Sequence, residues 1–169
     1  DITVTYTANG TRPIQPSDHI TTAKDVTETI HYTGAGDKTP ADKTVILHFT
    51  ATGQVDKVTG EQVGDLTWTL ANGTTDSGSF AAIDVPAIKH YHVVSIKGAD
   101  GTSYDDGNNN VKEIDGINHN SNNLDITVTY EANGTRPIQP SDHINTTKDV
   151  TETIHYTGAG DKTPADKTV

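Results

Sequence analysis

The chain contains one long stretch of sequence twice, and this repeat limits what the whole can fold into. Residues 1–45 and residues 125–169 are identical except at three positions. The differing pairs are Thr7 and Glu131, Thr21 and Asn145, and Ala23 and Thr147. Near-identity over such a length indicates a recent tandem duplication rather than symmetry within one fold. We therefore expect a slice of a longer repetitive protein, and such arrays more often bind, space or display than catalyse.

Composition excludes several classes of function. The net charge of −11 argues against binding to nucleic acid or to anionic membrane surfaces, because phosphate groups are bound by basic patches. The absence of cysteine excludes disulfides, thiolate metal sites and thiol nucleophiles. No apolar run of about 18 residues is present, so we expect no membrane insertion. With only 31% hydrophobic residues, the core must be thin.

Alternating apolar and polar residues predict five strands that form a mixed, mostly antiparallel sheet. These strands are Val26–Tyr32, Val45–Thr50, Leu66–Leu70, Tyr91–Ile96 and Leu124–Tyr130. The opening and closing strands, the first and last of these, should lie side by side and parallel.

Residues 79–90 have weak helical character that Pro86 limits to a turn or two. Residues 98–123 are rich in Asp, Asn and Gly, which predicts a long surface loop with a short strand at Val111 to Ile114.

The repeat sets the predicted domain boundaries. Residues 25–131 should form one complete module. Residues 1–24 are interpreted as the closing strand of a preceding repeat followed by a proline-containing connector. Residues 132–169 are interpreted as the same connector followed by the opening strand of the next repeat. We expect the partial strands Ile2–Tyr6 and Thr151–Tyr156 to pair with each other, within one chain or between molecules, because an unpaired strand exposes its backbone donors and acceptors.

The middle of the chain resembles the mucus-binding repeats of lactic acid bacteria. Residues 49–61 read FTATGQVDKVTGE and are followed by Trp68-Thr69, as in the Phe-Thr strand, Asp-x-Val-Thr-Gly turn and Trp-Thr strand of that family. Residues 80–91, FAAIDVPAIKHY, resemble the family's next segment, although His90 stands where glycine is usual. The resemblance covers roughly residues 25–131. It implies an α+β, mostly β fold of β-grasp type, with a mixed sheet and at most one short helix.

The same resemblance implies a function and a location. It implies a repeat of a cell-wall-anchored adhesin on the bacterial surface, which binds host mucin glycoproteins and their glycans and adjoins neighbouring repeats of its own chain. The alternative is a structural spacer that carries a distal binding domain and has no ligand of its own. An enzyme is not expected, because no nucleophile motif such as G-x-S-x-G is present.

Four residues are candidates for ligand binding. Tyr91 and Tyr104 are expected to be exposed and can stack on sugar rings, whereas Trp68 is interpreted as a core residue. His90 and His92 are two apart, so on one strand they would face the same side. That spacing also suits a zinc pair, but further ligands are not evident.

The polar loop offers the sharper metal candidate. Its clustered oxygen ligands suit calcium, while the pattern of an EF-hand loop is absent. The candidate ligands are Asp100, Asp105, Asp106, Asn108 and Asp115. The competing interpretation is a solvated loop without metal, in which case no cofactor is present.

Overall fold

The computed structural model describes residues 1–169, which form two compact units. The first unit is Asp1–Asn133 and the second is Gly134–Val169. All helical segments are 3₁₀ turns of three residues, namely Pro16–Asp18, Gly36–Lys38, Pro140–Asp142 and Gly160–Lys162. None of the helices is long or apolar enough to cross a membrane. The chain is therefore mostly β, as the sequence predicts.

The first unit contains eight strands. They are β1 (Thr11–Pro13), β2 (Ala23–Thr33), β3 (Lys43–Asp56), β4 (Gln62–Leu70), β5 (Gly78–Phe80), β6 (Tyr91–Gly98), β7 (Ile114–Ile117) and β8 (Leu124–Ala132). The second unit contains β9 (Thr153–Ile154) and β10 (Lys167–Thr168). All five predicted strands are present with somewhat wider bounds. The short strand expected at 111–114 lies three residues later, as β7.

Six of these strands form one mixed sheet in the order β1-β3-β2-β8-β6, with β4 on β3. The opening and closing strands, β2 and β8, are parallel neighbours with Glu28 opposite Leu124 and Thr33 opposite Thr129. This pairing confirms the predicted arrangement. All other pairs in the sheet are antiparallel. The stretch predicted as a connector contributes β1, whose three residues pair with the last part of β3.

The core lies on one face of β2 and β8. Along β2 alternate residues are buried, and the same alternation on β8 buries Ile126, Val128 and Tyr130. The rings of Tyr32 and Tyr130 stack with centroids 6.4 Å apart. Each fully buried Ile or Val stabilises the fold by about 1.5–3 kcal/mol relative to an exposed one. The two strands therefore hold the centre of the module.

The segment after β4 covers this core in extended form, where a short helix was expected. Residues 78–80 form β5 and pair with β7, and Ile83 bridges Val111 across two backbone hydrogen bonds. Phe80 and Ile83 are buried in this conformation. The prediction of helical character for residues 79–90 was therefore wrong. Pro86 disfavours a helix, and pairing with β7 and with Val111 satisfies the backbone of this segment in extended form instead.

Gly34 allows the end of β2 to lie against β8. Its φ of +93° is a left-handed conformation that favours glycine. A Cβ atom at this position would stand 2.1 Å from the carbonyl oxygen of Tyr130. Any side chain here would therefore force the two strands apart.

The duplicated sequence has different structures in its two copies. Residues 125–130 form most of β8, and Ile126 is 0% exposed. Residues 1–6 have the same sequence but form no strand, and Ile2 is 96% exposed. The expected strand at residues 1–7, and its pairing within the chain, were therefore wrong. The partner of Thr153–Ile154 is β10, in the same register that β2 and β3 have in the first copy.

Candidate functional site

The four predicted ligand residues are divided among three places. Tyr91 and His92 begin β6 and line one groove, which we call the β6 groove. Tyr104 lines a separate hollow of about 200 Å³ together with Asp100 and Asp125. His90 lies in the turn before β6 with a left-handed φ of +73°. Both tyrosines are half-buried against the core rather than freely exposed.

The β6 groove has a volume of about 270 Å³. Apolar side chains of the 85–88 segment and of β6 form one part of it, two tyrosines another, and three consecutive asparagines a third. The lining residues are Val85, Pro86, Ala87, Ile88, Tyr91, His92, Val93, Asn108, Asn109, Asn110 and Tyr130. Apolar surface with a few converging polar groups is the usual composition of a small-molecule site.

Two hydrogen bonds fix the walls of the β6 groove. The Tyr130 hydroxyl donates to the carbonyl of Pro86 at 2.8 Å, which ties the 85–88 segment to β8. The N–H of Val85 donates to Oδ1 of Asn110 at 3.0 Å, which ties the same segment to the polar loop. Asn108 and Asn109 are exposed and line the groove, where a ligand can reach their side-chain amides. The groove is therefore largely preformed.

Two aspartates hold the asparagines in place. Asp105 Oδ1 accepts the N–H groups of Gly107 at 2.8 Å and Asn109 at 3.1 Å. Asp106 Oδ1 accepts the N–H groups of Asn108 at 2.7 Å and Asn110 at 3.1 Å. These backbone hydrogen bonds lower the pKa of Asp106. The two carboxylates therefore shape the loop that presents the amides.

Three of the five predicted calcium ligands, Asp100, Asp105 and Asp106, accept backbone N–H groups within their own turns. Asp100 accepts the backbone N–H and the hydroxyl of Thr102 at 2.9 and 2.8 Å, and these bonds lower its pKa. Asp115 is exposed on β7, while Asn108 lines the β6 groove. No group of three or more His, Asp and Glu side chains is placed to hold a metal ion. Calcium binding in this loop stays a prediction.

Sequence reasoning missed an aromatic pair at the other end of the core. Trp68 is half-buried and stacks on His119, with centroids 4.6 Å apart and planes at 3°. Asp76 orients the imidazole, because its carboxylate lies 2.6 Å from His119 Nδ1 and also accepts the N–H of His119 at 3.0 Å. Trp68 packs against a cluster of buried residues, as its predicted core role requires; the cluster is Val26, Phe49, Phe80 and Ile117. His119 lies in the long polar loop, where no periodic pattern marks it.

Glu28 is an unusual buried acid. It is 0% exposed on the inner face of β2, and neither carboxylate oxygen has a hydrogen-bond partner. Burial raises the pKa of Glu28, because a charged carboxylate is poorly solvated there, and the positive charge of Lys43 only partly opposes this effect. Glu28 faces the core rather than the β6 groove or the hollow beside Tyr104.

Comparisons with known proteins agree with this fold. The family model described as Muc B2-like domain matches residues 17–134, which is more than half of the chain. The crystal structure of Mub-RV is similar to this chain, with 27% sequence identity and a TM-score of 0.54. The match covers 73% of this chain and 60% of that chain. The present chain thus spans 60% of the length of Mub-RV.

Two MucBP domains are also similar. One, from an adhesion protein of Pediococcus pentosaceus, is 32% identical over 65% of this chain and 99% of its own, with a TM-score of 0.44. The other, from Lactobacillus acidophilus, is 27% identical over 73% of this chain and 100% of its own, with a TM-score of 0.44. A comparison with curated protein sequences found no match. The resemblance to mucus-binding repeats is confirmed by the family model, and the chain belongs to the Muc B2-like domain family.

Proposed function

We propose that this chain is a mucin-binding repeat of a bacterial surface adhesin and that the β6 groove binds the glycan. The observation that carries the proposal is the preformed groove, in which an aromatic ring, apolar side chains and asparagine amides converge. Membership of the Muc B2-like family supports a binding role outside the cell. No catalytic step is part of the proposal.

The chemistry of the groove fits a sugar ring. A pyranose has an apolar C–H face, which packs against an aromatic side chain such as Tyr91. Its hydroxyls both donate and accept hydrogen bonds, and so do the amides of Asn108 and Asn109. The two groups of side chains therefore match the two surfaces of a sugar.

Charge favours neutral glycans over sialylated or sulfated ones. No Lys, Arg, Asp or Glu lines the groove, so it has no permanently charged cation to pair with an anionic sugar. The chain also carries a net charge of −11, which repels anions at low ionic strength. We therefore assign neutral mucin sugars as the ligand class.

A single groove of this kind binds weakly, and repetition strengthens attachment. Weak binding at one repeat becomes stronger attachment when neighbouring repeats engage the same mucin molecule. A tandem array suits this use, because every further module that carries such a groove adds a binding site.

The direct test is binding of this chain to immobilised mucin with its native glycans, after sialidase treatment and after periodate oxidation. Binding should be kept or increased by sialidase and lost after periodate. Asn108→Ala should weaken binding roughly 2- to 12-fold, which corresponds to one hydrogen bond of about 0.5–1.5 kcal/mol. Asn120→Ala is the matched control, because Asn120 is exposed in the same loop but lies outside the groove.

The spacer role is the second candidate. It is favoured by β1, which fixes the incoming chain to the sheet rather than leaving it as a free tether. A folded chain that binds no mucin at any pH would support the spacer and refute glycan binding. Binding that survives periodate, or that Asn108→Ala and Asn120→Ala leave equally strong, would refute the β6 groove as the site.

A further inference from the structure

Each copy of the repeat contains the pair Asn-Gly, which precedes β1 in the first copy and follows β8 in the second. The pair occurs as Asn9-Gly10 and as Asn133-Gly134. The first copy is followed by a complete module, and the second is preceded by one. The two copies together therefore show what the same two residues contact on either side.

Asn9 and Gly10 are bound to the module that follows them. The Asn9 side-chain amide donates to both carboxylate oxygens of Asp56, at 3.0 and 2.9 Å. The N–H of Lys57 donates to the carbonyl of Gly10 at 3.1 Å. The next residue, Thr11, begins β1 and lies opposite Asp56 on β3. The chain is thus attached to this module from Asn9 onward.

Asp56 is already oriented to receive the asparagine. Its Oδ1 accepts the N–H groups of Val58 at 2.8 Å and Thr59 at 2.9 Å, within the turn between β3 and β4. This turn, ending at Gly60, is the Asp-x-Val-Thr-Gly motif that the sequence shares with mucus-binding repeats. The motif therefore has a structural use here, which is to present a carboxylate to the incoming chain.

Asn133 is bound to the module that precedes it. Its N–H donates to the carbonyl of His90 at 2.9 Å. Its side-chain oxygen lies 2.9 Å from Nδ1 of His92, which donates when that nitrogen carries the proton. The strand β8 ends one residue earlier, at Ala132. The asparagine thus continues the attachment of β8 to the start of β6.

The two sets of contacts use different atoms. The preceding module binds the backbone N–H and Oδ1 of the asparagine, whereas the following module binds Nδ2 and the glycine carbonyl. The glycine has nearly the same conformation in both copies, with φ of +75° at Gly10 and +73° at Gly134. One Asn-Gly pair can therefore make both sets of contacts at the same time.

We propose that in consecutive repeats this asparagine bridges two modules and makes their junction stiff. Its partner is the next copy of the same repeat, through the counterpart of Asp56. Because only Asn and Gly stand between β8 and the next β1, and both are hydrogen-bonded, the junction contains no free residue to act as a hinge. The inference concerns the junction alone and does not depend on mucin binding.

The test uses the full chain extended past Val169 by a copy of residues 46–133, which completes a second module. The chain contains no cysteine, so Lys97→Cys and the same change in the second module place two spin labels at known sites. Pulsed electron–electron double resonance then measures the distribution of distances between the two spin labels. A Gly-Ser-Gly-Ser insertion after Asn133 provides the flexible reference.

We expect a narrow distribution of label-to-label distances in the unmutated protein. In Asn133→Ala the distribution should be broader and closer to that of the variant with the Gly-Ser-Gly-Ser insertion. Asn9→Ala is the matched control, because it removes the same side chain at the same repeat position outside the measured junction. It should leave the distribution unchanged. A distribution as broad as that of the insertion in the unmutated protein would overturn the proposal, and so would an unchanged distribution in Asn133→Ala.

Discussion

Replacing Glu28 by methionine should stabilise the protein. Both carboxylate oxygens of Glu28 are buried without a partner, so the folded state carries the cost of a desolvated polar group. Removing an unsatisfied buried group of this kind recovers about 1–3 kcal/mol. Methionine is unbranched and similar in length, so it can fill the same space without overpacking. For a protein of this size the gain is a rise in Tm of roughly 2–12 °C.

The pH dependence of the gain in stability shows whether the buried carboxylate is its cause. Because burial raises the pKa of Glu28 above its ordinary value of 4.5, the folded state binds this proton more tightly than the unfolded state does. The contribution of Glu28 to stability is therefore fully present below about pH 4.5 and is lost as pH rises through the pKa that this residue has in the folded state. The advantage of Glu28→Met should accordingly be larger at pH 8 than at pH 4.

The assay is denaturant unfolding at pH 4 and pH 8, followed by the fluorescence of Trp68, the only tryptophan. The duplicated sequence supplies a matched control in Glu152→Met. Glu152 occupies the same position in the second copy and is exposed, so its replacement should change stability very little. The reasoning is refuted if Glu28→Met lowers stability, or if its gain is equal at both pH values.

Two further predictions use the same pairing of copies. Ile126→Ala should destabilise the protein by about 2–5 kcal/mol in denaturant unfolding, because Ile126 is 0% exposed, whereas Ile2→Ala at 96% exposure should have almost no effect. Equal effects at the two sites would contradict the strand assignment. Gly34→Ala should be far more destabilising than Gly158→Ala in thermal unfolding, since both have φ of +93° but only Gly34 lies against backbone atoms. Similar losses would mean that backbone strain alone accounts for the effect.

The sequence predicts the strands of the module well, because each alternates over its own length. It also predicts the parallel pairing of β2 and β8 through the family resemblance. The extended course of residues 79–90 could not be foreseen, because it depends on contact with β7 and Val111, which lie far along the chain. The β6 groove was only partly predicted for the same reason. Tyr91 and His92 were identified as candidates, but the 85–88 segment and Asn109 join them only in the fold.

The duplicated stretch separates what local sequence determines from what the tertiary structure decides. Several features are the same in both copies although their surroundings differ. The Arg12–Asp18 pair recurs as Arg136–Asp142, with shortest distances of 2.6 and 2.5 Å. The histidine–aspartate pair His31–Asp42 also recurs, as His155–Asp166. These features join residues close in sequence, so little loop-closure entropy opposes them.

The strand DITVTY shows the opposite case. At residues 125–130 it is fully formed, because β2 and β6 lie on either side and provide hydrogen-bond partners and an apolar face to cover. At residues 1–6 the same letters form no strand. A strand cannot satisfy its backbone groups by itself, as a local turn can, since its partners come from distant parts of the chain. The sequence by itself therefore determines the turns, the ion pairs within them and the tendency to be extended, while neighbouring strands decide which extended segments become sheet.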